Sequence, residues 1–163
     1  MSWSLIEPVI DLSVRGLCRR PYHGHKKGCP NYDKKLGCPP QAPIIYDVLD
    51  FGKPIWAVWI DFDLANQRLR MKTKHPNWSN RQLDCCLYWQ GRAKKLLGIL
   101  VLNFIRNKAE LGEADELKAL YVPEAMGVNV TETMKNAGVI LEWPPENIVR
   151  KIAFLGSPFK SMQ

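Results

Sequence analysis

The chain has no two cysteines spaced two to four residues apart. That excludes the usual knuckles of a structural zinc site, in which each close pair supplies half of a tetrahedron. No three cysteines fall within about eight residues either, so the spacing of a radical-SAM cluster is missing. The five cysteines are an odd number, and a framework of disulfides alone would strand one thiol. Long apolar runs are also lacking. The longest, Leu96 to Leu102, is far short of the roughly 20 residues that cross a membrane. Glu7 and Asp11 interrupt the start where a secretory leader would be basic and then apolar. These absences point to a cytoplasmic protein with no membrane partner. In a reducing compartment, clustered thiols serve as metal ligands or catalysts more often than as disulfides.

Acidic charge is scarce in one place. Between Arg15 and Lys35 stand Arg15, Arg19, Arg20, Lys26, Lys27, Lys34 and Lys35 against Asp33 alone, within a chain of net charge +7. Three of the five cysteines lie in or beside this segment, Cys18, Cys29 and Cys38, in "CRRPYHGHKKGCPNYDKKLGCPP". A basic pole of this kind attracts nucleic acid, a nucleotide, another anionic small molecule or an anionic inorganic cluster. A solvated loop with no partner has the same composition.

With 163 residues and 46% hydrophobic content, the chain is expected to form a single domain over 1–163. The expected fold class is mixed α/β, with an N-terminal cysteine-rich metal-binding loop over 15–43 and one long helix in a body over 44–163. Glycine and proline recur from Gly16 to Pro43, so long regular elements are not expected there. "APIIYDVLDFG" (42–52) reads as a short helix, "KPIWAVWIDFD" (53–63) as a buried strand, and "NQRLRMKTKHP" as a helix or extended arm that Pro76 ends. Ser79 and Gln82 have capping-box spacing, and the apolar period that follows predicts a long helix from about Asn80 to Lys108. "DELKALYVPEAMG" reads as strand and turn. Asn129 and Glu132 open a short helix that Gly138 closes. "VILEW" (139–143) and "IVRKIAFLG" (148–156) read as strands.

Cys29 and Cys38 are each followed by proline, as in some iron–sulfur ligand runs. Proline offers no N–H and fixes its own φ, which carries the chain away without a competing local turn. Three thiolates on a [4Fe–4S] core leave one iron open to substrate, and surrounding cations would offset the cluster's negative charge. The rival is a closed Zn2+ site, completed by His23, His25 or Cys85. A loop without metal is the third reading. Cys86 reads instead as a small buried hydrophobe on the helix's apolar face. Among the aromatic residues, core packing accounts for most of Trp56, Trp59, Trp78 and Trp89, whereas Tyr22 and Tyr32 lie in the cysteine loop and are candidates to stack on a base.

The Cys-Pro and Cys-Pro-Pro loop, together with "YVPEAMGVNVTETMKNAGV" (121–139), resembles a family of uncharacterised prokaryotic proteins described as predicted metal-binding proteins. There a Cys-Pro-Pro segment precedes a Glu-Ala-x-Gly stretch and a helix ending in glycine. The resemblance implies metal binding by Cys18, Cys29 and Cys38 and no particular reaction. Those proteins carry a second group of cysteines before the Glu-Ala-x-Gly segment, and this chain has none there. One cluster, not an electron-transfer wire, is therefore expected. In ligand number alone the chain is also similar to enzymes that desulfurise thiolated nucleobases, a similarity that would make Glu124 or Glu142 a proton donor. The expectation is an iron–sulfur enzyme, lyase-, hydrolase- or desulfurase-like. Arg19, Arg20, Lys26 and Lys27 would steer an anionic small molecule, nucleotide or RNA to the open iron. The alternative is a non-catalytic nucleic-acid-binding module stapled by zinc or a closed cluster.

Overall fold

The computed structural model describes residues 2–21, 26–113 and 116–160. Four strands, β1 (Trp3–Ile6), β2 (Ile55–Asp63), β3 (Lys118–Leu120) and β4 (Ile148–Gly156), form one antiparallel sheet in the order β1-β2-β4-β3. Four helices accompany it: α1 (Leu64–Lys74), α2 (Asn80–Leu83), α3 (Gln90–Glu110) and α4 (Val130–Asn136). The domain is small and mixed α/β, with α3 its one long helix.

The two-residue period of β2 and β4 sorts their side chains onto opposite faces. Trp56 and Val58, with Ala153 and Leu155 opposite them, meet Leu97, Val101 and Phe104 of α3. Ile55, Ala57, Ile152 and Phe154 turn the other way, toward Val130 and Met134 of α4 and toward Ile45 and Leu49. Lys108 is buried at the α3 face, where it pairs with Glu113 and lies 4.9 Å from the Trp3 ring and 5.1 Å from the Trp56 ring. Its charge is thereby met by a carboxylate and by the negative faces of two rings.

Local signals operate where expected. Asp63 accepts from Asn66 N at 2.8 Å to start α1. Ser79 and Gln82 exchange both capping-box bonds. Asn129 accepts from Glu132 N at 3.0 Å, and Gly138 closes α4 at φ +79°.

Several expectations are corrected. The long helix expected over 80–108 is broken: α2 stops at Leu83, Cys86–Tyr88 form a 3₁₀ turn, and α3 begins at Gln90. Asp84 is held at the break by Arg68, whose Nε lies 2.6 Å from its Oδ1. The turn seats Trp89 against Phe62 with centroids 5.4 Å apart. "VILEW" is not a strand. Ile140 is 78% and Trp143 68% exposed, and Glu142 instead accepts from Asn147 N and Ile148 N. The short helix expected over 42–52 is only the 3₁₀ turn Ile45–Asp47, because Leu49 bridges to Pro158. β1 was not anticipated at all. Among the described residues, no helix is long and apolar enough to cross a membrane.

Candidate metal centre

The first thiol is placed by the segment that follows β1. Val9 accepts from Asn129 N at 2.8 Å, Ile10 bridges to Val128, and Asp11 N donates to Gly127 O at 2.8 Å. The contact is close because residue 127 is a glycine at φ +89°. A Cβ there would stand 2.6 Å from Leu12 Cδ2. Asp11 then caps a 3₁₀ turn, Leu12–Arg19, that lies against the turn Pro123–Met126 and carries Cys18 near its end. Cys18 and Glu124 thus come from two turns packed on each other.

The second thiol is tied to the first through backbone, and the third is held within its own local turn. Cys29 N donates to Cys18 O at 2.7 Å, with Gly28 at φ +81° immediately before it. Cys38 N donates to Lys35 O at 2.8 Å, and Ala42 N donates to Cys38 O at 2.9 Å. Arg15 reaches across, its Nη2 donating to Pro40 O at 2.9 Å and to Ala42 O at 2.7 Å. Arg15 therefore clamps the two ends of the loop. Its charge alone had marked it only as part of the basic pole.

All five cysteines are free thiols, each half-buried. Burial pushes the Cys18 thiol above its ordinary pKa; the neighbouring Cys29 and Cys38 sulfurs, a hydrogen bond with Cys29 and the Glu124 carboxylate push it the same way. The three thiols of the loop are thus within electrostatic reach of one another. Among the described residues, no three His, Cys, Asp or Glu side chains stand close enough to hold a single metal ion. Cys18 and Cys29 open onto a cavity of about 670 Å³ whose other walls include Arg19, Lys26, Lys27, Lys34 and Tyr32. Of the expected substrate-binding residues, Arg19, Lys26, Lys27 and Tyr32 line this cavity, and Arg20 is exposed but not among its walls. Tyr22, His23 and His25 lie outside the described residues. Cys85 is not among the groups that act on Cys18, and Cys86 packs half-buried against the Phe62 and Trp89 cluster from the 3₁₀ turn, not from the helix face expected of it.

Glu124 is exposed on the turn Pro123–Met126, although its carboxyl group has much protein around it. Desolvation raises its pKa; a backbone hydrogen bond of its own residue and the Lys151 ammonium pull the other way. Lys151 lies on the α3 side of β4, half-buried. Burial and then Lys94 push its pKa down, against Glu124 and Cys86. Charge therefore couples Glu124 to Lys151, and Lys151 to Lys94. These two lysines were missed because alternation in "IVRKIAFLG" and helical period around Lys94 assign them to ordinary faces. Glu142 has another role: the Ile148 and Asn147 N–H groups hold its carboxyl below the usual range, as an acceptor that orders the start of β4.

No family model, curated protein or solved structure matches this chain.

Proposed function

We propose that the chain is an iron–sulfur enzyme of the reducing cytoplasm that acts on a nucleotide or RNA. Cys18, Cys29 and Cys38 would hold a [4Fe–4S] cluster and leave one iron for substrate. The observation that carries this reading is the gathering of three free thiols in one glycine-turned loop beside a cationic cavity and a desolvated carboxyl group. A single zinc ion would need ligand sulfurs about 3.8 Å apart, given bonds near 2.3 Å in a tetrahedron. A cluster attaches each thiolate to a different iron and suits a looser set of donors. Its resemblance to the predicted metal-binding proteins supports the same ligands.

When bound, the cluster would supply a Lewis-acidic iron able to hold and polarise a substrate atom, sulfur being the best suited. The protein's own residues do the rest. Arg19, Lys26, Lys27 and Lys34 line the cavity and draw an anionic substrate into it. Tyr32 offers a ring on which a base can lie. Glu124, whose pKa burial raises, is the residue that would donate a proton to a leaving atom.

Anaerobic purification followed by iron, sulfide and zinc analysis and an absorption spectrum tests the proposal. About four irons and four sulfides per chain, with a spectrum that responds to a small added thiolate, are expected. Stoichiometric zinc without sulfide would replace the enzyme with a zinc-stapled nucleic-acid-binding module.

A further inference from the structure

The three buried clusters of the core leave out a stack of three rings. His75 and Trp78 lie 4.2 Å apart and within 8° of parallel, and Tyr88 leans on Trp78 at 4.6 Å and 38°. Tyr88 is 51% exposed. The stack is held from beneath: His75 N donates to Met71 O at 2.8 Å at the end of α1, Trp78 N donates to His75 O at 3.0 Å, and Lys72 Nζ donates to Trp78 O at 2.9 Å. Rings that are fixed by backbone and contribute nothing to the core form a rigid apolar surface open to solvent.

The stretch of chain that carries these rings is mostly of one charge. Between Asp63 and Glu110 the sequence has a single acidic residue, Asp84, and Arg68 is paired with it. Arg70, Lys74, Arg81 and Arg92 stand exposed on the same stretch of chain.

We propose that the His75–Trp78–Tyr88 stack is a platform for a base of single-stranded nucleic acid, whose phosphates follow the cations of α1, α2 and the start of α3. Single-strand binders combine these two elements, because every base has a face to stack and every phosphate a charge to neutralise. The free face is that of Tyr88, which is 51% exposed, whereas Trp78 already has His75 and Tyr88 against it. The proposal takes its substrate class from the function proposed above and narrows it, from a free nucleotide to a strand long enough to span both places.

The test is fluorescence anisotropy with labelled uridine and thymidine oligonucleotides of about twelve residues. A mixed-sequence duplex of that length and a mononucleotide competitor complete the set, with salt varied from about 50 to 300 mM. Either single strand should bind more tightly than the duplex, with an affinity that falls steeply with salt; the tighter of the two identifies RNA or DNA. Tyr88→Ala should raise Kd about 5- to 100-fold, Tyr88→Phe should leave it near wild type, and Arg81→Ala should lower the salt slope. Because Tyr88 is exposed, these variants keep the fold, which circular dichroism verifies. An unchanged Kd in Tyr88→Ala, equal affinity for duplex, or no binding at low salt would overturn the proposal. Iron analysis of the same samples separates the two claims: binding without iron removes the cluster and leaves the platform, and iron without binding does the reverse.

Discussion

Gly28→Ala perturbs the cysteine loop without touching a thiol. Gly28 sits at φ +81°, and the added Cβ would stand 2.6 Å from Cys18 O, the acceptor of the 2.7 Å bond from Cys29 N. A non-glycine residue in the left-handed region costs about 1–2 kcal/mol. Loss of the Cys29 bond adds about 1 kcal/mol. The obstacle is a backbone carbonyl, which cannot swing aside as a side chain would. The sum, about 2–3 kcal/mol, opens the loop by a factor of about 30–150. The cost falls on a surface loop, so global unfolding should shift little while Cys18 and Cys29 separate. The assays are iron content after anaerobic reconstitution and the rate at which an aromatic disulfide reagent consumes thiols in the metal-free protein. Iron should fall. The thiols should react faster, because part of what holds the Cys18 pKa up is its neighbour Cys29. Gly37→Ala is the control, since its added Cβ meets nothing within 4 Å and its φ is not positive. Equal iron and equal thiol rates in both variants and wild type would refute this account of the loop.

Three further outcomes are expected. Phe104→Ala removes a fully buried ring whose centroid lies 5.6 Å from Trp3 and 5.9 Å from Trp56, and urea unfolding should report a loss of about 3–5 kcal/mol. Asn129→Ala deprives Glu132 N of its acceptor, and the same measurement should show a loss of about 1 kcal/mol. The two carboxyl groups should give stability–pH curves of opposite sign. Glu142 is depressed in the fold, so its contribution is present above the ordinary carboxylate pKa and is lost as pH falls through the folded value; Glu142→Gln should lower stability near neutrality and flatten that acid loss. Glu124 is raised, so ionising it costs stability as pH climbs from the ordinary value through the folded one. Glu124→Gln should therefore be more stable than wild type above that window and level with it below. Urea midpoints from about pH 3 to pH 8 decide both, and two curves of the same sign would contradict the placement of these groups.

The parts of the fold that were legible in the sequence are those fixed within a few residues. Ser79 with Gln82 and Asn129 with Glu132 are complete hydrogen-bonding units in themselves, and Gly138 needs only its own φ. β2 and β4 are long enough for their alternation to declare two buried faces. What was not legible depends on distant partners. The break after Leu83 is set by Arg68, far back along the chain, holding Asp84. "VILEW" has strand composition, but β4 already has β2 and β3 as its two neighbours, so no sheet position is left beside it. The four residues of β1 are too short to show a period. At the site, the thiols are visible as chemistry in one segment, whereas the charge of Lys151 acts on Glu124 across a separation of 27 residues.

The arrangement of charge around Glu124 gives that residue two unlike sides. Toward the loop lie thiols that become anionic when they act as ligands, and each added negative charge makes a carboxylate there more costly. Toward the sheet lies Lys151, itself destabilised as a cation by burial and by Lys94. Burial raises the pKa of this carboxyl group, and the Lys151 ammonium opposes that rise. Lys151→Met removes that opposition while leaving the thiols in place. It should raise the Glu124 pKa further, moving the stability–pH difference between the Lys151→Met protein and its Glu124→Gln derivative to higher pH than in the wild-type background. Coincident curves in the two backgrounds would mean that Lys151 and Glu124 titrate independently.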